Sequence, residues 1–283
     1  MRMNIINYLA CPECQTKLSF SIQRKIKERI VKGELKCKRC GKKFYIKNGI
    51  AYFASCIKKQ FERNPQKLRR ITIKQEIPKT WMKFYSKKEL VALYKEWNWM
   101  LSVIKKNINT IHLDFATGTG RFLRNVVSKT KGEVITLDNG YGTCQELQYF
   151  LKKIGKYNRV SIICADARKM PFRSGVFNSV SSWHGLDEPR IKDAIKEAKR
   201  VLKRGGFFVA SGFHYQKGSK SFLRAKKHGI NFLIKEEIIH TLMDVSFHKI
   251  KHKVFYKGRW NGKGDYLPMY NDLYITYAIR GKK

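Results

Sequence analysis

The sequence has no apolar run approaching the length of a membrane span. Its opening stretch, MRMNIINYLA, lacks the extended apolar core of a signal peptide. Both absences predict a soluble, cytoplasmic protein. Acidic residues are scarce: 21 Asp and Glu stand against 60 Lys and Arg, a formal net charge of +39. There is no internal repeat and no low-complexity tract. Yet hydrophobic residues make up 43%, which excludes a disordered basic tail. At 283 residues the chain can bury a large core in one or two domains. The positive charge is spread out. Residues 1–56 carry 13 basic and three acidic groups, residues 57–80 eight and two, and residues 214–283 fifteen and five. Such a field suits a polyanion, whether RNA, DNA or an anionic membrane. A compositional bias toward Lys, Ile and Asn is the bland alternative.

Seven cysteines are present. Cys56, Cys144 and Cys164 are scattered. The other four form two C-x-x-C pairs, Cys11/Cys14 and Cys37/Cys40, separated by 22 residues. In a reducing compartment such pairs indicate metal, not disulfides. Each can sit on a tight turn and present two thiolates to one tetrahedral Zn²⁺, and Gly41 suits the second turn. Four thiolates leave no open position, so this metal is expected to be structural. Lys36, Lys38 and Arg39 would offset thiolate charge. LACPECQTKL and LKCKRCGKKFYIKNGIAYF resemble the small zinc-ribbon family that activates methyltransferases. They also resemble the N-terminal zinc ribbon of certain rRNA guanine methyltransferases. That resemblance covers about a fifth of the chain and implies a ribbon over residues 1–56 that could dock a protein partner. Ala51 stands where that family often has proline.

Residues 57–80 read as a basic linker and residues 81–283 as the main domain. Trp81–Asn107 shows apolar residues at helical spacing. From Thr110 strand and helix patterns alternate, which predicts a parallel sheet with right-handed crossovers. Strands are expected at Ile111–Phe115, Val134–Asp138, Val160–Cys164, Phe177–Ser182 and Phe207–Ser211. Helices are expected from near Arg121, at Ile191–Lys203 and at Leu233–Met243, with Gly205-Gly206 ending the second of these. Two further strands are expected around Ile250–Tyr256 and Leu273–Ile279.

The stretch IHLDFATGTGR organises this domain. A buried strand runs into a glycine turn and then a helix start, whose free N–H groups can hold a polar ligand. Gly118 and Gly120 let a ligand approach the backbone. A dinucleotide site wants a third glycine where Leu123 stands, which argues against NAD or FAD. Asp138, ending VITL, can take both hydroxyls of a ribose.

LDFATGTGRFL, ITLDNG, ADARKMPF and RVLKRGGFFVAS, in this order, resemble class I S-adenosylmethionine-dependent methyltransferases over roughly residues 110–212. The resemblance implies α/β architecture: a Rossmann-like, seven-stranded sheet with helices on both faces. It implies S-adenosyl-L-methionine as cofactor. Asp114 would orient the glycine loop, and Ala116, Gly118 and Gly120 would approach the amino-acid portion. Asp138 would hold the ribose, and Asp166 and the Ala167 N–H would address the adenine. Ala116 replaces a usual glycine, and Asn178 a usual aspartate.

The sulfonium methyl is already activated, so alignment of a nucleophile is the main task. The acceptor pocket is expected near Ser181-Ser182-Trp183-His184-Gly185. His184 is the candidate base there. No Asn-Pro-Pro-Tyr-like signature of exocyclic-amine methylation follows the fourth strand. RNA, of rRNA or tRNA type, is the expected acceptor, with the ribbon and linker delivering it and Trp260 and Tyr266 stacking on bases. A quinone-like small molecule or lipid is the alternative.

Overall fold

The structure is a computed structural model that describes residues 1–53, 85–104, 108–187, 191–261 and 267–283. The expected linker, Cys56 and Tyr266 lie outside these residues. Four short strands open the chain: β1 (Leu18–Ile26), β2 (Arg29–Cys37), β3 (Lys43–Lys47) and β4 (Ile50–Tyr52). Helix α1 (Lys87–Leu101) follows, shorter than its apolar pattern. It begins at Ser86, whose hydroxyl accepts the Glu89 N–H while Glu89 takes the Ser86 N–H at 2.6 Å. That reciprocal cap sets the first turn.

Then come β5 (Ile111–Phe115), α2 (Arg121–Lys129), β6 (Glu133–Asp138), α3 (Tyr141–Lys153), β7 (Val160–Cys164) and β8 (Phe177–Ser182). The chain continues with α4 (Lys192–Val201), β9 (Leu202–Tyr215), α5 (Lys220–Lys227), α6 (Lys235–Asp244), β10 (His248–Arg259) and β11 (Leu273–Lys282). The expected strands are all present, and the last three run longer than expected. Gly205-Gly206 do not end α4. The helix stops at Val201, and both glycines lie inside β9, where a Cβ on Gly206 would come within 3.0 Å of the Asn178 carbonyl.

Strands β5 to β11 form the order β7-β6-β5-β8-β9-β11-β10, parallel except where β11 runs antiparallel to its neighbours. This is the expected seven-stranded sheet. Helices cover both faces. Met100, Leu101, Phe122, Val126, Leu147 and Leu151 fill one layer, and Ala194, Ile195, Ala198, Ile238 and Leu242 the other. Strand β5 is buried along its whole length, as a central parallel strand must be.

The ribbon does not sit apart. Strand β4 pairs in parallel with β7, Ile50 opposite Ile162 and Tyr52 opposite Cys164, so one eleven-stranded sheet runs from β1 to β10. Leu9 bridges to Phe172, and Arg29 donates to the Tyr157 and Val160 carbonyls. Among the described residues no helix is long and apolar enough to cross a membrane.

Candidate active site and metal centre

The four paired cysteines converge. Cys11 and Cys40 sulfurs lie 3.6 Å apart, Cys14 and Cys37 3.4 Å, and all four ligand atoms fall within 4.8 Å of one another. Zn–S bonds of about 2.3 Å place tetrahedral thiolates roughly 3.8 Å apart. The Arg39 and Cys40 N–H groups point at the Cys37 sulfur, each at 3.4 Å, as a metal-binding turn requires. The donor set fits a structural zinc ion.

The second centre lies at the carboxyl ends of the parallel strands. The loop Ala116–Gly120 joins β5 to α2. Gly120 stands where glycine is favoured: its φ is +80°, a backbone that L side chains rarely adopt, and a Cβ there would also push Leu147 Cδ1 aside, at 2.5 Å. At Gly118, φ +56°, a Cβ would meet nothing within 4 Å, so the space above the loop is open to a ligand. Ala116 also has positive φ, +49°, which explains why glycine is common there and shows alanine held in a costly conformation. The Asp138 carboxylate closes on this loop, accepting the Gly118 N–H at 2.8 Å and the Gly140 N–H at 2.9 Å. Burial raises its pKa, and the two N–H groups oppose that rise.

Asp114 lies beneath the loop, 2% exposed, and accepts a hydrogen bond from Ser181. Burial pushes its pKa up to about 7. His112 bridges Ser179 at 2.8 Å and Ser181 at 3.0 Å. Asn178 is no defect: its Oδ1 accepts the Ile111 N–H at 2.9 Å, tying β8 to β5. Asp166 follows β7, caps the short turn at Ala167–Lys169, and forms an ion pair with Arg168 at 2.6 Å. Burial alone would raise its pKa, but Arg168 holds it below the usual value. The Ala165 N–H reaches the Asp138 carbonyl at 3.0 Å, which sets these two acidic ends side by side.

Trp183 and His184 follow β8. They border a cavity of about 510 Å³ that also takes Glu89, Glu96, Arg121, Asp187, Phe213 and Tyr274 into its walls. His184, φ +55°, lies with Nε2 3.7 Å from Glu96 and Nδ1 3.7 Å from Asp187. Its ring packs on Phe213 at 4.4 Å. Glu96 is 1% exposed and accepts the Trp183 indole N–H at 2.9 Å. Burial lifts its pKa to about 6, against the pull of His184 and Trp183. The residues behind this arrangement that sequence reasoning missed are Glu89, Glu96 and Asp187. A signal existed for two of them: Glu89 and Glu96 stand two helical turns apart on the buried face of α1. Trp260 corrects an expectation. It is 2% exposed and packs on Tyr85 and Tyr274, so it cannot stack on a base.

Ser182 Oγ is buried without a hydrogen-bond partner among the described residues. A Cβ on Gly185 would approach it to 2.2 Å and Ala116 Cβ to 2.6 Å. An orphan hydroxyl, an open glycine loop and a buried carboxylate at a strand end fit S-adenosyl-L-methionine.

The class follows from sheet order and loop. Residues 113–206 match the family model described as "Methyltransferase domain". The domain is that of a class I S-adenosylmethionine-dependent methyltransferase. Residues 5–49 match a second model, "Trm112p-like protein", so the chain joins a methyltransferase domain to a Trm112p-like zinc ribbon. The ubiquinone/menaquinone biosynthesis C-methyltransferase UbiE of Sinorhizobium fredii is 37% identical over 105 residues, 36% of this chain and 40% of that protein. An uncharacterized chloroplastic methyltransferase of Arabidopsis thaliana is 29% identical over 136 residues, 44% of this chain and 39% of that one. The chain thus spans about 40% of these relatives' length. A Haemonchus contortus phosphoethanolamine N-methyltransferase 2 with bound S-adenosyl-L-methionine shares the fold, with a TM-score of 0.54 at 18% identity over 66% of this chain and 52% of that one. So does the [4+2]-cyclase SpnF, at 0.54 and 16%, over 67% and 80%. The fold alone therefore does not choose the reaction.

Proposed function

We propose that the protein transfers the methyl group of S-adenosyl-L-methionine to a small, largely apolar acceptor seated beside His184. The cavity beside His184 carries this reading. Aromatic rings line it with three carboxylates against one cation, Arg121, and such walls favour a flat molecule over a phosphate. The quinone-type activity named for the UbiE relatives supports the same acceptor class.

When bound, the cofactor supplies an activated methyl group. Asp138 holds the ribose: each of its oxygens uses one lone pair on a glycine N–H and keeps another for a hydroxyl. Ala116, Gly118 and Gly120 bring bare backbone to the amino-acid portion, and Asp114 braces that loop from below. Asp166 and the Ala167 N–H face the adenine. His184 takes the acceptor's proton at a ring nitrogen, and Glu96 and Asp187 on either side stabilise the imidazolium that results. Trp183, fixed by its bond to Glu96, closes the acceptor side.

Transfer of tritiated methyl to a lipid extract and to total RNA tests this. Labelled lipid is expected, and label on RNA alone overturns it. An RNA base is the second reading, favoured by the basic groove described below. A protein partner at the ribbon would meet β1, the outermost strand of the sheet.

A further inference from the structure

The far edge of the sheet is chemically unlike the rest. Strands β10 and β11 hold seven Lys and Arg and no Asp or Glu. Among the described residues none of the seven is ion-paired. The ribbon differs: Lys42 meets Glu13 at 3.2 Å and Lys43 meets Glu34 at 3.3 Å.

The charges are also arranged. Lys251 and Lys253 alternate along β10, so they share one face at about 6.8 Å spacing, and Lys249 joins Lys251 at the groove. Lys251 pairs in register with Arg280, and Lys282 with Phe207 of β9. A bulge between His248 and Lys251, with Lys249 at φ +49°, turns the strand where the row begins. Here a groove of about 590 Å³ opens between the hairpin and the end of α1, lined by Ser102, Val103, Phe207, Lys249, Lys251 and Arg280. Aromatic rings back the cations. Arg280 lies 4.6 Å over Trp99, Lys253 5.5 Å over Phe255, and Lys282 5.9 Å over Phe207.

We infer that this groove binds single-stranded RNA. A positive channel with aromatic faces along it is what sequence-tolerant strand binding needs. Its concavity and one-sided rings suit a strand better than a flat bilayer. The helix that carries Glu96 into the acceptor cavity ends at this groove: its C-cap, Ser102, follows Glu96 by six residues, about 9 Å along the axis. The inference goes beyond the methyl-transfer reading, because strand binding and acceptor chemistry are separate measurements.

The test uses the full chain and a labelled 20-nucleotide single-stranded RNA, with anisotropy read at two salt concentrations. The triple variant Lys249→Glu, Lys251→Glu, Arg280→Glu is compared with Lys25→Glu, Lys32→Glu, Lys36→Glu on the ribbon, which changes net charge equally. Loss of three phosphate contacts should weaken binding about tenfold or more and flatten the log–log salt slope by about 2. The ribbon variant should lose about threefold or less. Equal losses in the two variants, or no RNA binding by the unaltered protein, overturn the inference. So does a groove variant that loses anionic phosphatidylglycerol vesicles but keeps RNA. The corresponding Gln triple serves if the Glu triple fails to fold. S-adenosylmethionine affinity, measured by calorimetry on the same variants, should stay unchanged; its loss reports damage to the methyltransferase domain, not to the groove.

Discussion

The two edges of the sheet are attached in opposite ways. The ribbon joins by three parallel rungs between β4 and β7, with the Leu9–Phe172 bridge and the Arg29 bonds beside them, and four sulfurs converge at its turns. The hairpin joins by nine antiparallel rungs between β11 and β9, with Tyr274, Tyr277 and Ile279 fully inside the core. A small unit with little core can add strands to a sheet only if something else fixes its shape, and metal is the cheapest way for a few dozen residues. A hairpin with a full ladder needs no such aid.

Breaking the metal should give the largest effect. Zinc binding to small modules is worth about 10 kcal/mol or more, so Cys37→Ser or strong chelation should erase amide protection over β1 to β3 and leave β9 to β11 protected. Because β4 lies against β7, whose end leads to Asp166, cofactor affinity should fall several-fold as well. Hydrogen exchange with and without chelator, followed by calorimetry, reads both. An unfolded ribbon with unchanged cofactor affinity would make the seam a passive attachment.

Acid should act on the other edge. His214 and His252 face each other at 3.0 Å between Nε2 atoms, stacked with Tyr277, where β9, β11 and β10 meet. Burial lowers both to about 4; Lys235 adds to this, and Glu236 opposes it at His252. Their folded values lie below the ordinary 6.5, so the unfolded chain binds more protons between pH 6.5 and 4. Stability present above 6.5 is thus lost as pH falls through that window, about 3 kcal/mol for the pair after allowing for the partial exposure of His252. His252→Leu should flatten the loss in pH-dependent denaturant titrations. An unchanged slope would mean that other groups govern the edge.

Between the edges, Asp138→Ala should weaken S-adenosylmethionine binding by about 1–3 kcal/mol while leaving zinc content and hairpin protection intact. Unchanged affinity in calorimetry would remove the ribose assignment. Smallest of all, Ala116→Gly should relax the +49° backbone and raise stability by about 1 kcal/mol or less, seen as a modest rise in the thermal midpoint. A drop would mean that the methyl group contributes packing worth more than the strain it costs.

Much of this was legible because the signals were local. Cys-x-x-Cys spacing, the glycine turn after Phe115 and the acidic ends at Asp138 and Asp166 depend on neighbours a few residues away. The parallel order followed from alternating strand and helix patterns. What stayed hidden depends on contacts distant in sequence. Glu96 looks like a solvated helix position until Trp183, 87 residues on, bonds to it. Trp260 reads as an exposed loop aromatic until Tyr85 and Tyr274 enclose it. The shared sheet was invisible too, since β4 is only three residues long and meets a partner more than a hundred residues away.

The row beneath the glycine loop has one further consequence. Ser181 carries a single hydrogen and gives it to Asp114. It can then only receive from His112, so the His112 proton sits on Nε2 and Nδ1 receives the hydroxyl hydrogen of Ser179. Burial drives the pKa of His112 down to about 3, so the ring stays neutral, and this tautomer holds while Asp114, whose own pKa burial lifts to about 7, is ionised. The four groups therefore form a polarised wire with one direction, pointing at the loop. Nitrogen NMR shifts of a single buried imidazole would reveal that orientation, and replacing Ser179 with alanine would leave the wire without its first donor.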